Sequence, residues 1–109
     1  MVDDIRKPKV IEQYRQVVFE EPGGFVIEYE QCNDIPVLHF HFLSRVVDRP
    51  LCEMVEIAWK ECEEALRDLG KEFVMTYTRG ESTCRWAKKR LGYNLITKAE
   101  GWYMLRKDL

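Results

Sequence analysis

The chain is poor in the residues that mark disordered, disulfide-built or membrane-embedded proteins. Its 6 glycines and 4 prolines among 109 residues are too few for a collagen-like, low-complexity or disordered protein. Its four cysteines, Cys32, Cys52, Cys62 and Cys84, form no C-x-x-C pair and no dense disulfide spacing. A reducing, intracellular, cytoplasmic setting is therefore expected. The apolar stretches are short and broken by charge, and the opening Met-Val-Asp-Asp has no apolar signal core, so we expect nothing that enters or crosses a membrane. The length excludes a two-domain enzyme and suits a single domain over residues 1–109.

What is present is the composition of a folded globule, 46% hydrophobic and 33% charged. A net charge of -2 argues against a general nucleic-acid binder. That average hides a polarity. Residues 1–64 carry 7 Lys+Arg against 14 Asp+Glu, and residues 65–109 carry 10 against 5. Opposed halves suit attraction within one fold or between copies, and solvated helix faces produce the same split.

Val10, Ile11, Tyr14, Val17 and Val18 recur at helical spacing after Pro8, which predicts a helix over residues 8–20. Residues 25–31 and 35–43 are rich in strand formers around the turn-prone Cys32-Asn33-Asp34 and predict a hairpin. Residues 50–69 carry one apolar stripe, Leu51, Val55, Ala58, Trp59, Cys62, Leu66 and Leu69, with Glu53, Glu56, Lys60, Glu61, Glu63 and Glu64 on the remaining surface. Pro50 opens this helix and Gly70 stops it. A strand at 72–78, a helix at 82–91 closed by Gly92, and a hairpin of 93–97 with 102–107 complete the chain. The strand-helix-strand unit from 35 to 78 should be parallel and right-handed between antiparallel hairpins, giving a mixed sheet in an α+β fold.

Several side chains are candidates for chemistry. His39 and His41 stand two apart on a strand and share a face, yet no complete ligand set accompanies them, so no metal is expected and packed or surface histidines are the commoner outcome. Cys84 with these histidines could form a thiol site; no local signature supports it, and a free cysteine more often ends in the core. Arg45 and Arg49 beside a helix start suit an anion such as a phosphate or carboxylate, and Asp48 between them is as apt to neutralise the two arginines instead. Arg85, Trp86, Lys88, Lys89 and Arg90 form a basic, aromatic helix face that is either solvated or a patch for an acidic partner surface. Trp59, Trp86 and Trp102 are expected as core or interface anchors.

Residues 81–93 follow the N-x-x-A-x-x-x-Y-x-x-x-G-F helix of GNAT acetyltransferases in its close, Lys89-Arg90-Leu91-Gly92-Tyr93, and the order of elements over about 25–109 is similar to that superfamily. The resemblance implies a GNAT-like mixed sheet and, in an active member, acetyl-CoA as cofactor. The family's R/Q-x-x-G-x-G/A loop is replaced by Ser44-Arg45-Val46-Val47-Asp48-Arg49-Pro50, without glycine. Glu81 stands at the family's Asn and Lys88 at its Tyr. The departures imply a non-catalytic protein-binding or structural module, with no cofactor, that works on another protein or on copies of itself. An active N-acetyltransferase would instead need backbone donors around Arg45, Arg49 and Leu51 and a substitute acid, Tyr77 or Tyr93. Short length and a missing cofactor loop also resemble GNAT-like small proteins of tailed bacteriophages, including internal virion proteins, which implies a host cytoplasm or a virion as the setting.

Overall fold

The structure is a computed structural model and describes residues 16–109. Six strands and two helices follow one another: β1 (Gln16–Glu21), β2 (Phe25–Cys32), β3 (Ile35–Phe42), α1 (Arg49–Asp68), β4 (Phe73–Thr78), α2 (Glu81–Trp86, continued by a wide π turn Ala87–Leu91), β5 (Asn94–Ala99) and β6 (Trp102–Asp108). They form one mixed sheet in the order β1-β2-β3-β4-β6-β5. The single parallel pair is β3 with β4, joined through α1 as expected, and the other neighbours are antiparallel. None of the described helices is long and apolar enough to cross a membrane.

The helix expected over 8–20 is corrected where the structure describes it. Residues 16–20 belong to β1, which pairs antiparallel with β2 around the Pro22-Gly23-Gly24 turn; residues 8–15 lie outside the described residues. Val17, Val18 and Phe19 are good strand formers, and the ladder to β2 overrides a local spacing that also suits a helix. Gly23 takes φ 73°, a conformation only glycine adopts without strain. Gly24 then accepts from the amides of Leu43 and Ser44 at 2.8 and 3.3 Å, which fastens this hairpin to the chain leaving β3.

Alternation along each strand sends one set of side chains to the helices. Phe25 and Ile27 of β2, Leu38 of β3, Val74 of β4 and Leu105 of β6 meet Val55, Ala58, Trp59 and Leu66 of α1 and Cys84, Ala87 and Leu91 of α2 in one core. Each large side chain fully buried there contributes about 1.5–3 kcal/mol. Leu69, expected in the apolar stripe, is the C-cap of α1 and largely exposed. Past it, Gly70 donates to Arg67 and Lys71 to Leu66, the paired bonds that satisfy the last carbonyls of a helix.

Candidate functional site

The register between β3 and β4 is a single pair, Val37↔Met75. Beyond it no further register pair joins the two strands, and a cavity of about 340 Å³ lies at their C-terminal ends, lined by Phe40, His41 and Phe42 of β3, by Thr76, Tyr77 and Thr78 of β4 and by Trp59 of α1. A second cavity of about 220 Å³ shares Phe40, Phe42 and Thr83 with the first and adds Val47, Cys52, Ser82 and Trp86. The carboxyl ends of parallel strands are the usual place for a ligand crevice in sheets with crossover helices. Phe40 sets the shape of this one. Its ring stands edge-on to Trp59 of α1 at 5.8 Å, to Trp86 of α2 at 5.6 Å and to Phe42 at 5.3 Å, so it fixes the walls against both helices.

The start of α1 lies beside the second cavity, which Cys52 lines. An acetyl-CoA pyrophosphate would need free amides there. Asp48 is the N-cap, and its Oδ1 accepts from the Leu51 amide at 3.0 Å. Pro50 has no N–H to give. Cys52 donates back to the Asp48 carbonyl at 3.1 Å, the first intrahelical bond. The first turn is therefore capped by the protein's own carboxylate, and its residues do not fit a phosphate cradle. Arg45 and Arg49 are exposed, with Arg49 Nε 3.4 Å from Glu53 Oε2.

The two substitute acids are not brought together. Tyr77 lines the first cavity with its ring edge-on to His39 at 4.7 Å and to Trp102 at 5.4 Å. Tyr93 is buried beneath α1 and lines neither cavity. Its hydroxyl donates to Glu63 Oε2 at 2.6 Å and accepts from Trp59 Nε1 at 2.9 Å. Burial, reinforced by the Glu63 carboxylate, holds its phenol well above the ordinary range, so it stays protonated and structural.

Glu63 was expected on the solvated face of α1, and the structure corrects this: it is 2% exposed. Trp59 Nε1 donates to its Oε2 at 3.1 Å, and Lys107 Nζ approaches Oε1 at 3.0 Å. A buried carboxylate is tolerable only with such partners. On the neighbouring position, burial and the charges of Glu61 and Glu63 push the Cys62 thiol up to about 11, so it is a poor nucleophile.

Of the expected basic patch, Arg85, Lys88, Lys89 and Arg90 are exposed and Trp86 is half-buried against Phe40. Two of the cations are engaged: Arg90 pairs with Glu56 at 3.0 Å and Arg85 lies 3.8 Å from Glu81. Cys84 is in the core, whereas alternation along β3 puts His39 and His41 on the face opposite Phe40 and Phe42, so no thiol site forms. His39 Nε2 lies 3.0 Å from Glu30 Oε1, both groups buried, and His41 lies 3.3 Å from Glu28. No group of three or more metal-ligating side chains occurs among the described residues.

The residues that build the cleft, Phe40, Phe42, Thr76, Thr78 and Thr83, escaped the reading of the sequence. A signal was available: Phe40 and Phe42, like Thr76 and Thr78, sit two apart near the ends of the two strands expected to run parallel. No family model, no curated protein and no solved structure matches the chain.

Proposed function

We propose that this chain is a non-catalytic binding module of GNAT-like architecture, which uses the cleft at the C-terminal ends of β3 and β4 to hold a partner and transfers no acetyl group. The observation that carries the reading is the start of α1, where Asp48 takes the Leu51 amide and Pro50 lacks a donor. An anion brought there would meet a carboxylate rather than open N–H groups. The burial of Tyr93 in a closed hydrogen-bonded cluster adds to it, because an acid that never meets the cleft cannot protonate a leaving thiolate.

Thermal denaturation with acetyl-CoA tests the reading. A ligand at 100 times its Kd stabilises the native state by about 2.7 kcal/mol, roughly 10 °C or more for a domain of this size. No shift is expected at 1 mM acetyl-CoA. A shift of that size would make the chain an acetyl-CoA binder and bring forward the second reading, an N-acetyltransferase with an atypical cofactor loop. The cleft itself favours that second reading, since it lies at the C-terminal ends of the parallel strands and has Tyr77 on its wall.

A further inference from the structure

α1 carries a second apolar stripe beside the one it turns to the core. Met54, Ile57, Ala65 and the C-cap Leu69 are exposed, and with Glu61 between them they recur every three or four residues, so they share one face. At 1.5 Å per residue the line runs for about 22 Å. It borders β1, and two cavities of about 240 and 210 Å³ lie along the groove between the two elements. Phe19 and Glu61 line both; Val18 and Leu69 line the first, Met54 and Ile57 the second. Exposed apolar side chains scattered singly are ordinary, but a contiguous line of them against a groove marks an interaction site.

The charge of this groove has one sign. Among the described residues Glu61 is the only charged side chain lining either cavity, and it forms no ion pair with any of them. Glu64 and Asp68 are exposed on the same side of α1, whereas the cations of that helix half are engaged elsewhere, Lys60 with Glu56 at 3.1 Å and Arg67 with the Leu109 carbonyl at 3.2 Å.

Glu61 selects among occupants. It is the midpoint of the stripe, so a second copy packed there by two-fold symmetry would set Glu61 against its own copy in an apolar seam. An extended strand added to β1 is disfavoured too. β1 has six residues, and its register with β2 shifts between Val17 and Phe19, an irregularity of the kind that blunts a sheet edge against addition. A helix laid along the groove meets neither obstacle, and a Lys or Arg in the middle of its apolar face finds Glu61.

We infer that the groove between α1 and β1 takes an amphipathic helix of a partner protein, with large apolar side chains over Met54, Ile57 and Leu69 and a central Lys or Arg paired with Glu61. The inference goes beyond the cleft at the ends of β3 and β4 and does not rest on it, since no residue lines both that cleft and this groove.

The experiment pans a displayed library of helical peptides on the full chain, then titrates the synthetic peptide of the selected sequence by calorimetry and by NMR. Selected sequences should carry Lys or Arg with large apolar residues three or four positions to either side. Binding should shift the methyl signals of Met54, Ile57 and Leu69. Glu61→Arg should weaken binding about tenfold or more, and replacing the peptide's central cation with Glu should restore affinity for that variant to within about threefold. Ile57→Lys, at a position 62% exposed and so harmless to the core, should also weaken binding about tenfold. The pair Lys88→Glu with Lys89→Glu should leave affinity within about twofold. No enrichment over a protein-free control, enriched sequences without a basic residue, or affinity kept in Glu61→Arg would each overturn the inference. Shifts at Phe40, Thr76 and Thr83 in place of the stripe would overturn it by moving the peptide to the cleft. Light scattering that finds a dimer dissociated by Ile57→Lys would assign the groove to a second copy, and NOEs in the free chain from residues 1–15 to the Ile57 methyls would assign it to the chain's own segment; either contradicts the inference.

Discussion

Replacing Lys107 with Met removes the one cation that approaches Glu63 among the described residues, Glu63 being a carboxylate 2% exposed. In the wild type Oε2 accepts from Trp59 and Tyr93 while Oε1 faces the Lys107 ammonium at 3.0 Å. The variant keeps two neutral donors on Oε2 and leaves a buried charge with no counterion at Oε1 among the described residues. Breaking a buried ion pair by removing one partner costs about 3–5 kcal/mol. The Lys107 side chain is 24% exposed, so part of its interaction is screened by water and about 2–4 kcal/mol is the appropriate range. At about 5 °C per kcal/mol for a domain of this size, the midpoint of thermal unfolding should fall by roughly 10–20 °C. Combining Lys107→Met with Glu63→Gln removes the uncompensated charge, and the double variant should recover much of the loss. Circular dichroism melts of the four proteins give the coupling directly. A drop of under about 3 °C for Lys107→Met, or a double variant no more stable than the single one, would refute the view that Lys107 is what makes buried Glu63 tolerable.

Three further outcomes follow from single groups. The folded Cys62 thiol holds its proton up to about 11, above the ordinary value of 9.0, so the unfolded chain releases that proton first. Stability from this group is full below pH 9 and is lost as pH rises toward 11; urea melts across that window should fall less for Cys62→Ala than for the wild type. Asp48→Ala removes the N-cap of α1 and should cost about 1 kcal/mol in chemical denaturation, without creating acetyl-CoA binding, since Pro50 still lacks a donor. Gly92→Ala should cost about 1–2 kcal/mol even though an added Cβ meets nothing closer than Lys107 Cε at 3.8 Å, because φ is +81° there; an unchanged midpoint would mean that the turn rearranges.

The local elements of this fold were legible, and the long-range polar chemistry was not. The stripe Val55, Ala58, Trp59 and Leu66 marks α1, and the spacing of Cys84, Ala87 and Leu91 marks α2, because each set repeats at the period of its own helix. The same reasoning misassigned Val17 and Val18. Over that stretch a helical spacing and a β-rich composition coexist, and only the ladder to Ile27 and Glu28, across a turn, decides between them. Glu63 looked solvated because its neighbours Glu61 and Glu64 are; its partners Tyr93 and Lys107 stand 30 and 44 residues away, beyond any local pattern. The wide turn at Ala87–Leu91 likewise leaves no trace in spacing, although Gly92 correctly marked its end. As for the cleft, the strands and crossover helix that frame it were legible, but where the register of β3 with β4 ends depends on sheet geometry that no stretch of sequence encodes alone.

The central claim, that the capped start of α1 excludes the acyl carrier a GNAT-like architecture would otherwise hold, is tested most directly by calorimetric titration of acetyl-CoA into the full chain at low salt. The account predicts no heat beyond dilution up to 1 mM. A saturable isotherm with a micromolar Kd would contradict it.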